Sequence, residues 1–486
     1  MKKVINSILM ILMLVSLIVA NDEVVILHWN DVHSHNIPWK PVRHNPEKHF
    51  VGGYAYLDAY LDSLLIVYPK ALKINAGDDF QGTPVSSISK GRSQIEILNV
   101  VNPDFFTIGN HEFDYSWANF AKLIPEAIFD IYGANVLDVE TNEPLLKEYK
   151  IYDFNGKKIA MLGVTSDDLP GLTLSENLKG VKIVGQVEKV KELVEELKEK
   201  NIHLIIAVTH IGFDEDKKLA KAVPELDLIV GGHSHTYLDE AVVIGNVHIV
   251  QAASYGRYIG EFKFSCDETK ITDFDYKLIE IVSENISPSE DVKKVVDKFE
   301  NKVAKEMDIV IGVLKNDWIR GGTESNLGNW LTDVMKKKTR SDIAFTNNGG
   351  IRKDLAAGDI KVRDIWEITP FGNTFVTFTI DGKQLLNMVE YMVENNRLMP
   401  QSGLKITIKR DENKLLKVLV NGEKIDPNKK YSVVTNNYVF DHTKGYFGFV
   451  PNNNIKTGLV DRDVFLDAVR EQKIIDSKIE GRIIFE

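Results

Sequence analysis

Five short polar turns of this 486-residue chain hold residue types suited to metal and acid–base chemistry. They are Asp31-Val32-His33, Gly77-Asp78-Asp79, Gly109-Asn110-His111-Glu112-Phe113-Asp114, Thr209-His210 and Gly232-His233-Ser234-His235. Carboxylate oxygens and imidazole nitrogens suit Zn²⁺, Mn²⁺ and similar ions, and the lack of thiolates argues against a structural zinc knot. Two ions can share one carboxylate; Asp78 is the natural bridge, and Asp79 is its rival or a turn acid. The Gly109–Asp114 stretch combines an amide, an imidazole and two carboxylates, which unites metal ligation with proton transfer. His28, His44, His49, His203, His248 and His442 lack such surroundings and read as structural or surface residues, while His35 lies near the cluster as an outer neighbour.

Each turn follows an apolar run. Val24–Trp29 leads into Asn30-Asp31, Ala71–Asn75 into Gly77-Asp78, Phe105–Ile108 into Gly109, Leu204–Val208 into Thr209-His210, and Leu226–Val230 into Gly231. Near-continuous runs of this length predict strands buried on both faces. Val187, Val190, Val194 and Leu197 share one helical face between two such runs. The expectation is a layered α/β domain with its chemistry at strand ends, where such folds build their sites.

A new element begins at Ser287-Pro288-Ser289-Glu290, a helix start with a capping Ser, Pro at the first helical position and Glu three residues on. Val292, Val295, Val296, Phe299 and Val303 continue it as one apolar stripe, giving a connecting helix over 286–307. It would divide a first domain, 21–285, from a smaller α+β domain, 308–486. In the latter, helices are expected over 329–338 and 383–394, a tight turn at Asn421-Gly422, and a loop at Asn452-Asn453-Asn454.

With 44% hydrophobic and 27% charged residues the chain is an ordinary globular protein, which excludes bulk disorder. A net charge of −11 argues against a nucleic-acid or anionic-membrane binder, but not against anionic substrates, because local ions outweigh the global field. Lys2-Lys3 followed by the apolar Ile8–Val19 and then Ala20 reads as an export signal over 1–20, with no stable membrane insertion after cleavage. The single cysteine, Cys266, reads as a small residue in or near a strand, and a periplasmic or extracellular location is expected.

The ordered series D-x-H, GD, GNHE, TH and GHSH resembles the calcineurin-like metallophosphoesterases. Its spacing, together with Glu324–Asn329, Asn347–Arg352, Thr369–Asn373, Gln401–Gly403 and Tyr431–Asn436, is similar to the secreted and periplasmic 5′-nucleotidase family over almost the whole mature chain. The resemblance implies a layered αββα metallophosphoesterase domain joined by a helix to a substrate-binding domain. It implies two divalent ions (Zn, Mn, Co or similar), one held by Asp31, His33, Asp78 and His235, the other by Asp78, Asn110, His210 and His233. His235 stands where family members often carry Gln or Asn. His111 and Asp114 would form a catalytic dyad for hydrolysis of a phosphomonoester by metal-activated hydroxide, with Glu112 left structural.

In the second domain the resemblance implies that Asn347, Gly350 and Arg352 face the nucleotide, that Phe371 and Tyr438 stack on its base, and that Arg320 adds a phosphate contact. One departure stands out. Where the family reads an Asp for the ribose hydroxyls, this chain has Asp441-His442-Thr443-Lys444-Gly445-Tyr446, with Lys444 at the Asp position: a donor-only cation in place of an acceptor. The activity implied is that of a 5′-nucleotidase. Alternatives on the same scaffold are a 2′,3′-cyclic nucleotide phosphodiesterase, a UDP-sugar hydrolase and a thiosulfate-ester hydrolase. The alternative of another class is a non-catalytic exported metal-containing binding protein, which would need no His111–Asp114 pair.

Overall fold

Along Glu23–Trp29 every residue after the first is buried, and alternation divides the side chains between two cores. Val24 and Ile26 join an inner cluster, while Val25, Leu27 and Trp29 join an outer one. Such two-sided burial is what a central strand covered on both faces requires. The strand pairs in parallel with Leu72–Asn75, which pairs in parallel with Phe105–Thr107, as does Phe105–Thr107 with Ile131–Tyr132. On the other side it pairs antiparallel with Tyr258–Cys266, itself antiparallel to Ile271–Glu280, completing six strands. A second six-stranded sheet is built around Leu204–His210, which lies parallel to Leu228–Val230 and to Lys157–Thr165.

The inner cluster draws on both sheets: Ile26, Ile74 and Phe105 from the first, Met161, Ile206 and Val230 from the second. Helices Tyr54–Val67 and Arg92–Val101 cover the far face of the first sheet, and Gln186–Glu199 and Phe213–Ala222 that of the second. The result is the expected αββα layering, with the turn residues at the carboxyl ends of parallel strands. Cys266 is buried at the end of its strand.

The computed structural model describes residues 23–267 and 269–486, so the stretch read as an export signal lies outside the described residues. Among the described residues no helix is long and apolar enough to cross a membrane. The chain forms two compact units; the helix expected over 286–307 runs over Glu290–Met307, so Ser287 and Pro288 precede it rather than cap and open it, and it is divided between the units after Asp297. Segments 40–48 and 81–89 group with the second unit rather than with their sequence neighbours.

The second unit is α+β. Its central five-stranded sheet places Ile343–Phe345 parallel to Lys430–Asn436, which is antiparallel to Thr374–Asp381. Helices Asn326–Thr339 and Gly382–Glu394 match the expected ones with short extensions. Asn421 and Gly422, with φ of 49° and 86°, form the two-residue turn between antiparallel strands. Asn454 is a difference: it begins the strand Asn454–Val460, which is largely exposed and lacks the apolar alternation that would have marked it.

Candidate metal centre and substrate loops

The first unit brings together the residues of all five turns. Asp31 Oδ2 accepts the Asn30 side-chain amide at 2.6 Å and the His233 backbone N–H at 2.9 Å. Its Oδ1 faces Nε2 of His235 at 3.2 Å, of His33 at 3.6 Å and of His210 at 3.8 Å. Nε2 of His33 and of His235 stand 3.0 Å apart, close enough to share one ion. Asp78 Oδ1 accepts the His111 backbone N–H at 2.8 Å, which leaves Oδ2 toward Nε2 of His210 at 2.9 Å and of His33 and His111 at 3.8 Å each. Asn110 Oδ1 lies 2.8 Å from His233 Nδ1. Three groups thereby bring ligand atoms within 4.8 Å of one another: Asp31, His33 and His235; Asp78, His210 and His233; and His33, Asp78 and His111.

These donors fit cations. Among the described residues, the buried Asp31 Oδ1 and His210 Nε2 make no well-aligned hydrogen bond, the 2.9 Å approach of His210 to Asp78 included. His210 Nδ1 lies 2.6 Å from the Ala76 carbonyl, which makes it the donor and turns Nε2 toward the centre. Burial opposes charge on His210, yet the Asp78 and Asp31 carboxylates outweigh it and lift the imidazole to about 10. The same field favours any cation placed there. Burial and the neighbouring His210 lower His233 to about 4, keeping it in the neutral, ligating form.

The backbone is unusual at the same points. Asp31, His33, Asp78, His233 and His235 have φ of 51°, 50°, 59°, 76° and 55°. Left-handed non-glycine residues are uncommon and gather at functional sites. Gly109 is required for a different reason: a Cβ there would collide with the Asp78 carboxylate.

His111 carries its own partner. Its Nδ1 is 2.6 Å from Asp114 Oδ2, while Asp114 Oδ1 is 3.5 Å from the Thr173 hydroxyl and its carbonyl accepts the Asn177 amide. Asp79, the alternative bridge, points elsewhere: it accepts the Tyr54 hydroxyl and the Asn75 amide, and burial pushes it up to about 8.

Three supporting residues had no motif to announce them. The Asn30 amide ties Asp31 to the Ala253 carbonyl at 2.7 Å, and Asn30 Oδ1 accepts the Ala252 N–H. Gln251 holds the GHSH turn by donating to the Gly232 carbonyl and accepting from Ser234 and Thr236. The Tyr255 ring lies 5.3 Å from that of His235 and 5.8 Å from that of His33. Only the placement of Asn30 directly before Asp31 offered a signal.

In the second unit Asn347, Tyr438 and Phe371 lie in loops at the ends of the three inner strands of the central sheet. The carboxyl ends of Ile343–Phe345 and Lys430–Asn436 lead to Asn347 and Tyr438, and Phe371 precedes the antiparallel neighbour Thr374–Asp381. The Asn436 amide donates to Asn347 Oδ1 at 3.0 Å, and Thr374 N–H donates to Asn437 Oδ1 at 2.9 Å, so the loops of Phe371 and Tyr438 are bonded together. Arg352 N–H donates to the Ile368 carbonyl, and Arg320 Nη1 to that of Ile351 at 3.1 Å. Lys353, paired with Asp364 at 2.8 Å and Glu367 at 2.6 Å, anchors the Arg352 loop. Gly350 is buried beside Asn347. Lys444 is exposed on the short helix Thr443–Phe447.

This layering and these ligand groups define a class. The family model of the calcineurin-like phosphoesterases matches residues 24–237, and the chain is a metal-dependent phosphoester hydrolase whose Asp and His groups are positioned for two divalent ions. The model of the 5′-nucleotidase C-terminal domain matches residues 310–450, and the chain belongs to the family that joins these two domains. Protein UshA of Yersinia enterocolitica is 26% identical over 532 residues, covering 96% of this chain and 94% of the relative. The trifunctional nucleotide phosphoesterase protein YfkN of Bacillus subtilis is 30% identical over 476 residues; the match takes in 84% of this chain but only 32% of that longer protein. The crystal structure of a 5′-nucleotidase precursor from Thermus thermophilus superposes with a TM-score of 0.88 at 28% identity, over 95% of this chain and 99% of that one.

Proposed function

We propose that the chain hydrolyses nucleoside 5′-monophosphates, with water, to nucleoside and phosphate. The observation that carries this reading is the placement of a His111–Asp114 pair, 2.6 Å apart, on the same loop as Asn110 and 3.8 Å from Asp78. Asp31, His33, Asp78, Asn110, His210, His233 and His235 would hold the two divalent ions. When bound, the ions neutralise phosphoryl oxygens and acidify water.

The chain's own residues do the rest. His111, beside the metal ligands, gives a proton to the departing 5′-oxygen, and Asp114 fixes its ring and favours the charged form. Phe371 and Tyr438 stack on the base, a mode that tolerates purine and pyrimidine alike. Asn347, Gly350, Arg352 and Arg320 face the polar part of the nucleotide.

Lys444 favours keeping a second reading on the same scaffold, a hydrolase of cyclic nucleotides, nucleotide sugars or thiosulfate esters, because an exposed ammonium cannot accept bonds from a ribose diol. One panel separates them: phosphate or thiosulfate ester cleavage across these substrates, with added Mn²⁺, Zn²⁺ or Co²⁺ and with chelator. Fast, chelator-sensitive phosphate release from nucleoside 5′-monophosphates supports the first reading, and its absence with turnover of another ester overturns it. No release from any ester would support the non-catalytic binding protein. The Lys2-Lys3 and Ile8–Val19 stretch supports export to the periplasm or beyond, which cell fractionation tests.

A further inference from the structure

Glu112 is the one acid of the Gly109–Asp114 stretch without a chemical task, and it is fully buried. Its Oε2 accepts the backbone N–H of Gly109 at 2.7 Å and of Asp78 at 3.1 Å. Its Oε1 accepts those of Asp79 at 2.9 Å and Phe80 at 3.1 Å. The four donors belong to two loops, one following Leu72–Asn75 and one following Phe105–Thr107. The brace is reciprocal, because Asp78 Oδ1 accepts the His111 backbone N–H across the same gap at 2.8 Å. Each loop's acid is thus held by the other loop's backbone.

The strands beneath do not need this brace. Ile74 is already in register with Phe105 and Asn75 with Phe106. What Glu112 adds is confined to the loop residues: it holds Asp78, a member of the ligand set, and Gly109, the chain neighbour of the ligand Asn110. The reciprocal bond selects the oxygen of Asp78 that is used: with Oδ1 committed to His111 N–H, Oδ2 is left for the ring nitrogens of His210, His33 and His111.

We propose that Glu112 is a positioning residue that sets the separation of Asp78 from Asn110 and His111, and so controls divalent-ion affinity without touching ion or substrate. The proposal rests on the ligand assignment made above. Partners outside the ligand shell commonly change metal affinity by about 10–100-fold when altered.

The test uses the full chain stripped by chelator, titrated calorimetrically with Mn²⁺, and melted with and without Mn²⁺. Glu112→Gln keeps the size but turns one acceptor into an amide that confronts two backbone N–H groups. Glu112→Asp keeps the charge but is one methylene short of spanning both loops, and it serves where the Gln variant fails to fold. The expected result is a Mn²⁺ affinity about 10–100-fold weaker, with a smaller Mn²⁺-induced rise in melting temperature and an ion-free melting temperature near that of wild type. Variants that bind Mn²⁺ as wild type does, whether or not their ion-free melting temperature falls, overturn the proposal alone. A wild-type chain that binds no Mn²⁺ overturns the ligand assignment, and the proposal with it.

Discussion

Asp114→Asn removes the charge behind His111 while keeping the size of the side chain. Asp114 Oδ2 lies 2.6 Å from His111 Nδ1, with each side chain only 10% exposed, so water screens the pair little. A hydrogen bond to a charged partner contributes roughly 1.5–3 kcal/mol. Losing that charge withdraws support from the cationic, proton-donating ring and leaves it free to turn, so the cost falls on protonation of the departing oxygen. At 1.36 kcal/mol per tenfold, kcat should drop by roughly 13- to 160-fold. The drop should depend on the leaving group: large for a nucleoside 5′-monophosphate, whose alkoxide needs a proton, and small for p-nitrophenyl phosphate, whose phenolate leaves without one. Metal content should not change, since Asp114 belongs to none of the ligand groups. Steady-state kinetics on both substrates, with metal analysis of the same preparation, provide the assay. A variant fully loaded with metal that turns over the nucleotide within twofold of wild type would refute the role given to the pair.

Other expectations follow from the same geometry. Gly109→Ala should abolish turnover and weaken Mn²⁺ binding measured by calorimetry, because its Cβ has no room beside the Asp78 carboxylate. Phe371→Ala or Tyr438→Ala should raise KM for nucleotides by roughly 5- to 160-fold, the equivalent of about 1–3 kcal/mol of base stacking, while leaving ribose 5-phosphate hydrolysis unchanged. Glu324 accepts the Asn329 amide and the backbone N–H groups of Glu480 and Arg482, with that of Ile483 at 3.5 Å, and Glu324→Gln should lower the melting temperature. Burial opposes charge on Glu324, but these donors outweigh it and hold its pKa below the ordinary value. Its contribution is therefore fully present above the ordinary carboxylate pKa and is lost as pH falls through the depressed one. The wild-type advantage over Glu324→Gln in thermal melts should accordingly vanish on acidification; an advantage that grew instead would contradict the sign.

The turns that carry the ligands were legible because each follows an apolar run buried on both sides, a pattern local to a few residues. Phe105–Thr107 leading into Asn110 and Leu204–His210 ending on a proposed ligand needed no tertiary knowledge. Support at long range was not legible. Asn30 reaches the Ala252–Ala253 backbone more than two hundred positions away, and Gln251 and Tyr255 lie in no motif. The grouping of segments 40–48 and 81–89 with the second unit is a tertiary fact with no local trace. Two stretches that matched the nucleotidase pattern, Glu324–Asn329 and Gln401–Gly403, serve packing instead: Glu324, Asn329 and Gln401 all bond the Lys478–Ile483 segment.

The left-handed backbone at Asp31, His33, Asp78, His233 and His235 restricts which neighbouring sequences remain open to this protein. Asp, Asn and His are the side chains that enter this conformation most readily after glycine, and they are also oxygen and nitrogen donors. Exchange among these three can alter ion preference while leaving the main chain undisturbed. Glu, Gln and Cys, equally able to bind ions, would meet a backbone that resists them. In a selection for altered metal use, variants should therefore accumulate as Asp, Asn and His exchanges at these five positions, and a β-branched residue should be absent from all of them.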